Sequence, residues 1–280
     1  MRLQEAIWGK GGIRLSKVVR ADDRHDIIDM TVWIRLAGGT DDAFTEGDNS
    51  RVLPTDTMKN TVYVLAHQHE FGSIEDFGLI LCRHFLDRLD SVGEAQISLE
   101  RRVWRRMTVD GELHPHAFVQ RTSERHTCTV VDDRTGPVVV AGVEGLGLLK
   151  TTGSAFTGFP RDEYTTLPEA TDRLMSTFVE ADWRYDGGPD DYMEAWHGIR
   201  RTLTESFASH DESQSVQHTL YAMAGAVISG FAEVAEITMR LPNAHHLTVD
   251  LSPFGITNRD VVMQPVDEPY GMIEARVSRD

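Results

Sequence analysis

The sequence has few cysteines and no long apolar run. Only two cysteines occur in 280 residues, Cys82 and Cys128, and their spacing fits neither a disulfide framework nor a thiolate metal site. We expect both to be small, buried hydrophobic residues. The first residues lack the apolar core of a secretion signal, and no stretch of about 18 apolar residues is available to cross a membrane. These absences predict a cytoplasmic protein that does not bind membranes.

Basic residues are also scarce. The chain has 28 Lys and Arg against 44 Asp and Glu, which gives a formal net charge of −16 at pH 7. Nucleic acids and anionic membranes are themselves negative, so this balance argues against both as general partners. A small anionic ligand would need a local cationic pocket. Hydrophobic residues make up 40% of the chain, enough for the core of one large domain or two ordinary ones.

Motifs of metal and nucleotide sites are missing. There is no H-E-x-x-H, C-x-x-C or P-loop, and no G-x-S-x-G of a serine hydrolase. His67 with His69 and His114 with His116 have the spacing of strand ligands, but no carboxylate or cysteine set stands nearby. We interpret both pairs as surface or helix-end histidines. The glycines of "GVEGLGLLK" indicate a glycine-weakened strand and not a dinucleotide fingerprint.

The pattern that is present predicts an α+β fold. A hairpin over residues 13–36 is followed by two helices, the second capped by Ser73 with Asp76 at the capping-box position, and by strands at 95–107, 117–131 and 138–149. The second half shows a similar order of strand, two helices and strands, with a division near residues 140–150. Such paired helices should cover one face of an antiparallel sheet. We therefore expect two similar halves.

Two stretches contain polar and aromatic residues in unusual settings. Residues 154–173 should form a loop, although they contain Phe156 and end at Arg173. This loop fits a small-molecule pocket and a packed structural loop equally well. In "LPNAHHLTVDL", strand alternation predicts that His245 and His246 point to opposite sides, so the two should not chelate one metal.

Taken together, several segments resemble the urate oxidase (uricase) family. The most specific are "TDTMKNT", "GFPRDEYTTL" and "LPNxHH", and "WGKGGIRLSKV", "SVQHTLYAMA" and "PYGMIEA" follow the family's order between residues 8 and 276. The resemblance implies two tandem tunnelling-fold (T-fold) domains, residues 1–140 and 141–280, in chains that form a homotetramer. It also implies oxidation of urate by O₂ to 5-hydroxyisourate and hydrogen peroxide, with no metal or organic cofactor.

The resemblance also implies roles for individual residues. The catalytic positions fall on Lys10, Thr55 and His245. The substrate-binding positions fall on Thr55, Asp56 through its backbone, Phe156, Leu167, Arg173, Val216, Gln217 and Asn243, the last beside the oxygen. Family sites lie at subunit interfaces, so we expect Lys10, Thr55 and His245 from one chain and Phe156, Arg173 and Gln217 from its neighbour. Ala244 stands where many relatives have lysine, a departure that removes a cation near the relay.

Each assignment makes chemical sense for urate, a planar purine monoanion. An arginine fork and a glutamine amide supply directional hydrogen bonds to its edge, and a phenylalanine ring stacks on its face. A lysine with a lowered pKa can take a proton through a threonine hydroxyl, with a histidine supporting the relay. Two alternatives are a tunnelling-fold enzyme acting on a pterin or guanine-type heterocycle and a purine-binding protein without catalysis.

Overall fold

A computed structural model of the chain describes residues 2–120 and 122–279. Contacts within the chain divide them into two compact units. Unit 1 comprises the residues up to Gly142 together with Arg184–Trp196, and unit 2 comprises Val143–Trp183 and the residues from His197 onward. Within the described residues, no helix is long and apolar enough to span a membrane.

Unit 1 is an antiparallel sheet with helices. Its elements are β1 (Ile7–Arg20), β2 (His25–Gly38), α1 (Asp41–Thr45), α2 (Thr55–Gln68), α3 (Ile74–Arg88), β3 (Val92–Arg102), β4 (Arg105–Val109), β5 (Glu112–Val119), β6 (Arg125–Asp132) and the start of β7 (Pro137–Lys150). Strands β1, β2, β3 and β6 pair antiparallel in that order, with β7 next to β6. Strands β4 and β5 form a separate hairpin.

The core of unit 1 follows from the two periodicities of its elements. Residues 28–32 of β2 are all buried and alternate residues are buried from Val32 to Leu36, while α2 packs on β1 and α3 on β3 and β6. Helix α3 begins with the predicted capping box, in which Ser73 and Asp76 bond each other's backbone N–H groups. Cys82 and Cys128 are both buried, as predicted. The predicted hairpin over residues 13–36 is confirmed by the pairing of β1 with β2.

Unit 2 has the same components. It contains the rest of β7, most of β8 (Met175–Tyr185) and α4 (Tyr192–Ser209), and all of α5 (Val216–Gly230), β9 (Val234–Arg240), β10 (Asn243–Thr248), β11 (Met263–Gly271) and β12 (Glu274–Ser278). Strand β9 pairs with β8 and β12, and β10 pairs with β8 and β11. Helix α5 packs on β9 and β12. The predicted α+β class, with helices on an antiparallel sheet, is confirmed.

Some predicted strands have different limits in the structure. The strand predicted over residues 95–107 is divided between β3 and β4, and the one over 117–131 is divided between β5 and β6. Strand β11 was not predicted, because Pro265 and Pro269 interrupt its pattern. Proline is tolerated there because β11 lies at the end of the β8–β10–β11 pairing and needs hydrogen bonds on one side only.

Candidate active site

A cavity of about 730 Å³ opens beside β10 in unit 2. Its walls are formed by residues of the loop 151–174, by the whole of β10, and by residues 260, 261 and 263. Half of the predicted site residues line it: Phe156, Leu167, Arg173, Asn243 and His245. The structure therefore brings together residues that are up to 89 positions apart in the sequence, from Phe156 to His245.

The loop places an aromatic ring and a guanidinium group close together. Phe156 and Ala170 exchange two backbone hydrogen bonds of 2.7 and 3.0 Å, which form an isolated bridge inside the loop. Phe159 stacks on Phe156 with ring centroids 4.9 Å apart and an interplanar angle of 14°. The Cζ atom of Arg173 lies 5.2 Å from the centroid of the Phe156 ring. Arg173 thus forms a cation–π pair with Phe156, and both residues border the cavity.

Arg173 has unused capacity to bind a ligand. Its side chain is half-buried, and within residues 2–120 and 122–279 its Nε atom has no hydrogen-bond partner. Burial lowers the pKa of the guanidinium group, which nevertheless stays protonated in proteins. A desolvated cation with a free donor is a binding point for an anionic ligand.

Strand β10 carries Asn243, Ala244 and the two histidines along the cavity. Asn243 pairs with Thr177 of β8 and with β11, and the register of β10 against β11 shifts between Asn243 and His245. Such irregularities redirect side chains next to functional sites. All six residues of β10 border the cavity.

The prediction that His245 and His246 point to opposite sides of β10 stays a prediction. Both His245 and His246 are half-buried and border the same cavity, which runs along the length of β10. The Nδ1 atom of His246 is buried and has no hydrogen-bond partner among the described residues. The register shift lies between Asn243 and His245, so the residues from His245 to Thr248 keep the alternation of a regular strand.

Val216 and Gln217 stand at the start of α5 and do not border the cavity. The first turn is capped by Ser215, whose hydroxyl accepts a hydrogen bond from the His218 N–H group at 3.1 Å. Val216 is buried, whereas Gln217 is exposed. This turn is linked to the cavity through Ser213, which pairs with the loop that carries Phe156.

Lys10, Thr55 and Asp56 form a second group, in unit 1. The indole N–H of Trp8 donates to the Leu53 carbonyl oxygen at 3.2 Å, which ties β1 to the start of α2. The Asp56 carboxylate accepts hydrogen bonds from Lys59 at 2.5 Å and Asn60 at 3.1 Å. The bond from Lys59 and its charge lower the pKa of Asp56, and the charge of Lys10 adds to this.

These contacts occupy the Asp56 carboxylate, and the predicted contact through its backbone stays a prediction. In the predicted division of the site between subunits, His245 was grouped with Lys10 and Thr55. The structure places His245 in the cavity of unit 2, which Phe156 and Arg173 also border. The division between subunits stays a prediction.

Sequence reasoning also missed Asp172, which borders the cavity. Its carboxylate accepts hydrogen bonds from the Thr152 hydroxyl at 2.5 Å and from the N–H groups of Gly153 and Ser154 at 2.8 and 3.3 Å. The only signal in the sequence is its position directly before Arg173. Its partners lie about 20 residues earlier, at a separation that no local pattern reveals.

Comparison with known proteins gives one consistent result. The family model described as Uricase matches residues 7–131 and 139–274. The uricase of Arthrobacter globiformis is 42% identical over 98% of this chain and 88% of its own length. The uricase of Dictyostelium discoideum is 39% identical over 97% of this chain and 96% of its own length. That of Oryctolagus cuniculus is 37% identical, with 97% and 93% covered.

Solved structures agree with these relatives. The crystal structure of the Arthrobacter globiformis uricase superimposes with a TM-score of 0.94 at 42% identity, covering 100% of this chain and 96% of the other. A Bacillus fastidious uricase gives a TM-score of 0.83 at 25% identity, with 98% and 93% covered. The predicted fold class of two tandem T-fold domains is confirmed. The chain belongs to the uricase family, the oxidoreductases that act on urate.

Proposed function

We propose that this chain oxidises urate with O₂ to 5-hydroxyisourate and hydrogen peroxide, without a metal or organic cofactor, as a cytoplasmic homotetramer. The observation that carries the proposal is the cavity in which Arg173, with a free Nε donor, lies 5.2 Å from the Phe156 ring while His245 lines the wall formed by β10. This arrangement suits one planar, anionic heterocycle.

Urate matches the binding groups of the cavity. It is a planar monoanion with oxygen and nitrogen acceptors on its edge, so Arg173 can donate a charge-assisted pair of hydrogen bonds. Phe156 stacks on its face, and Leu167 adds apolar contact. These interactions hold the substrate in place without changing its chemistry.

The starts of two helices supply further donors. At the start of α5, Val216 and Gln217 present backbone N–H groups, and at the start of α2, Thr55 and Asp56 do the same. Such N–H groups have no partner within the helix and favour negative charge. We assign the contacts of Asp56 and Val216 to these backbone groups and those of Gln217 to its exposed amide.

The reaction needs proton transfer and electron transfer in balance. Urate loses two electrons and O₂ gains them, while a water molecule supplies the new hydroxyl oxygen and hydrogen peroxide leaves. We assign the removal of a proton from urate to Thr55 backed by Lys10, and support of the relay near neutral pH to His245. Asn243, at the start of β10, is assigned to holding oxygen or water above the substrate ring.

We place these groups in sites that two subunits share. Phe156, Arg173, Asn243 and His245 form the binding side, and Lys10 and Thr55 of the partner subunit complete it. We assign part of the contact between subunits to Leu149 and Phe178, which are exposed apolar side chains on the neighbouring strands β7 and β8.

A substrate panel tests the proposed reaction. Protein stripped of metal is incubated in air with urate, a reduced pterin and guanine, and consumption is followed by the ultraviolet absorbance of each compound. We expect urate alone to be consumed. Consumption of the pterin or guanine without urate would support the alternative heterocycle enzyme, and tight urate binding without turnover would support a purine-binding protein.

A further inference from the structure

The loop that carries Phe156 and Arg173 has neither a helix nor a strand, so other contacts must hold its shape. Between Thr151 and Leu174 the structure has only isolated bridges, turns and bends. A displacement of about 1 Å in a binding group can cost much of an enzyme's efficiency. The contacts that fix this loop therefore bear on urate binding itself.

One carboxylate joins the two ends of the loop. Asp172 accepts hydrogen bonds from the Thr152 hydroxyl at 2.5 Å and from the N–H groups of Gly153 at 2.8 Å and Ser154 at 3.3 Å. These bonds, that of Thr152 first, lower the pKa of Asp172. Arg173 follows directly in the chain, so its backbone is held at the same point.

Hydrogen bonds connect the turn that Asp172 holds to the start of α5. Gly153 O accepts from Ser213 N at 3.3 Å, and Ala155 N donates to Ser213 O at 2.7 Å. The hydroxyl of Ser213 is 2.7 Å from that of Thr219 in the first turns of α5, and both residues are buried. This network leads directly to the helix start that carries Val216 and Gln217.

Gly153 shows how closely the turn is packed. Its φ angle is +74°, and a Cβ atom added there would lie 2.8 Å from the carbonyl oxygen of Asp211. Only glycine fits this conformation at this distance without strain. A side chain at this position would therefore displace the turn from the segment before α5, and Asp172 holds the second end of the loop at the same turn.

We infer that Asp172 is a positioning residue of the urate site. It fixes the distance between Arg173 and Phe156 and the position of both relative to the start of α5. The inference rests on the proposed function, because it concerns how that function's binding residues are placed. Asp172 does not take part in the chemistry, so its loss should weaken binding more than it slows turnover.

The chain offers a matched control in the same loop. Asp162 accepts hydrogen bonds from the Thr165 hydroxyl at 2.7 Å and the Tyr164 N–H group at 3.0 Å. Like Asp172, it is an exposed carboxylate that closes a turn with a threonine hydroxyl. Unlike Asp172, it does not border the cavity. Asp162→Ala therefore removes the same kind of contact away from the site.

The test compares four variants by steady-state kinetics on urate and by equilibrium binding of xanthine, a purine that lacks the 8-oxo group. We expect Asp172→Ala to raise the KM for urate and the Kd for xanthine about tenfold or more, with kcat within about threefold of wild type. Asp172→Asn keeps an acceptor for the backbone N–H groups, and Thr152→Val removes one bond only. Each should raise both constants about two- to fivefold.

Asp162→Ala should stay within about twofold of wild type in both constants. Constants for Asp172→Ala within twofold of wild type would overturn the inference, and so would an equal rise in Asp162→Ala. If Asp172→Ala does not fold, the KM for urate and the Kd for xanthine of Asp172→Asn and Thr152→Val are compared with those of wild type and Asp162→Ala in the same way. Wild-type protein that does not oxidise urate would instead refute the proposed function, while the xanthine measurements would still test Asp172.

Discussion

Arg173 lies over the ring of Phe156, with the guanidinium Cζ 5.2 Å from the ring centroid. Both belong to a loop without regular secondary structure, and both border the cavity beside β10. The same loop contains a second pair of this kind, Arg161 over Phe159 at 5.0 Å, which does not border the cavity. Substitutions in the two pairs therefore distinguish an effect on ligand binding from an effect on the stability of the loop.

Replacement of Arg173 by lysine should weaken urate binding. An ammonium group keeps the charge but cannot donate the paired hydrogen bonds of a guanidinium. A lost charge-assisted hydrogen bond corresponds to a rise of about 10- to 100-fold in the KM for urate. The matched variant Arg161→Lys should leave KM unchanged. Equal effects of the two substitutions would show that Arg173 acts only through the loop.

The proposed relay predicts a different kinetic signature. Lys10→Met and Thr55→Val should each lower kcat by about 100-fold or more, the usual loss on removal of a general acid–base group. KM should change little, because both substitutions leave the backbone N–H groups at the start of α2 in place. Lys59→Met removes a neighbouring lysine that bonds Asp56, and it serves as the control for lost charge. Lys10 is not in the relay if its variant retains wild-type kcat.

Mixed oligomers test how residues are divided between subunits. Thr55→Ala and Arg173→Ala chains, each inactive alone, should regain activity when unfolded and refolded together, because some sites then combine an intact relay with an intact binding side. His245→Ala mixed with Arg173→Ala should not regain activity, because both changes damage the same cavity. Recovery in the second mixture would place His245 with Lys10 and Thr55 instead.

His210 makes stability depend on pH. Burial, then the charges of His218 and Lys150, lower the pKa of His210, whose ring centroid is 4.5 Å from that of His218. Below the ordinary histidine pKa of about 6.5, the unfolded chain therefore binds a proton that the folded chain does not. Stability consequently falls as the pH falls through this value.

Replacement of His210 should make the unfolding free energy depend less on pH in the acidic range. Urea unfolding of His210→Gln, compared with wild type, should show a smaller loss of unfolding free energy between about pH 7 and pH 5.5. At about pH 8 the imidazole is neutral in both states, so that measurement isolates the packing effect of the substitution. Parallel profiles for the two proteins at all pH values would contradict the assignment.

A buried pair in unit 1 predicts a large loss of stability. Glu75 and His126 are fully buried, and the His126 Nε2 atom is 2.7 Å from a carboxylate oxygen of Glu75. His126→Leu leaves Glu75 without this partner and should cost about 3–5 kcal/mol of unfolding free energy. The double variant with Glu75→Met should recover much of that loss. Denaturant unfolding distinguishes these results, and a loss below about 1 kcal/mol in His126→Leu would contradict the prediction.

Local patterns predicted the parts of the fold that local interactions determine. The capping box at Ser73 and the hairpin of β1 and β2 depend on residues close in sequence, and both are confirmed. The break between β3 and β4 and the proline-containing edge strand β11 depend on which strands lie beside them. Hydrophobic periodicity does not carry that information.

The candidate site also depends on contacts that local sequence patterns do not show. Composition and spacing left the loop 154–173 open between a pocket and a structural element, and only the resemblance to uricases assigned Phe156, Arg173 and His245. The grouping of His245 with Arg173 depends on the position of β10 beside that loop. The bond between Asp172 and Thr152 closes a separation of 20 residues. Such contacts belong to tertiary structure, which no single stretch of sequence specifies.

The oxygen balance of the reaction tests the central claim most directly. Protein dialysed against a strong chelator, with its metal content measured, is mixed with urate in an oxygen electrode, and peroxide is assayed in the same sample. The account predicts that one O₂ is consumed and one hydrogen peroxide is released for each urate, at a rate that the chelator does not change. Folded protein without urate-dependent oxygen uptake, or uptake that chelation abolishes and added metal restores, would contradict it.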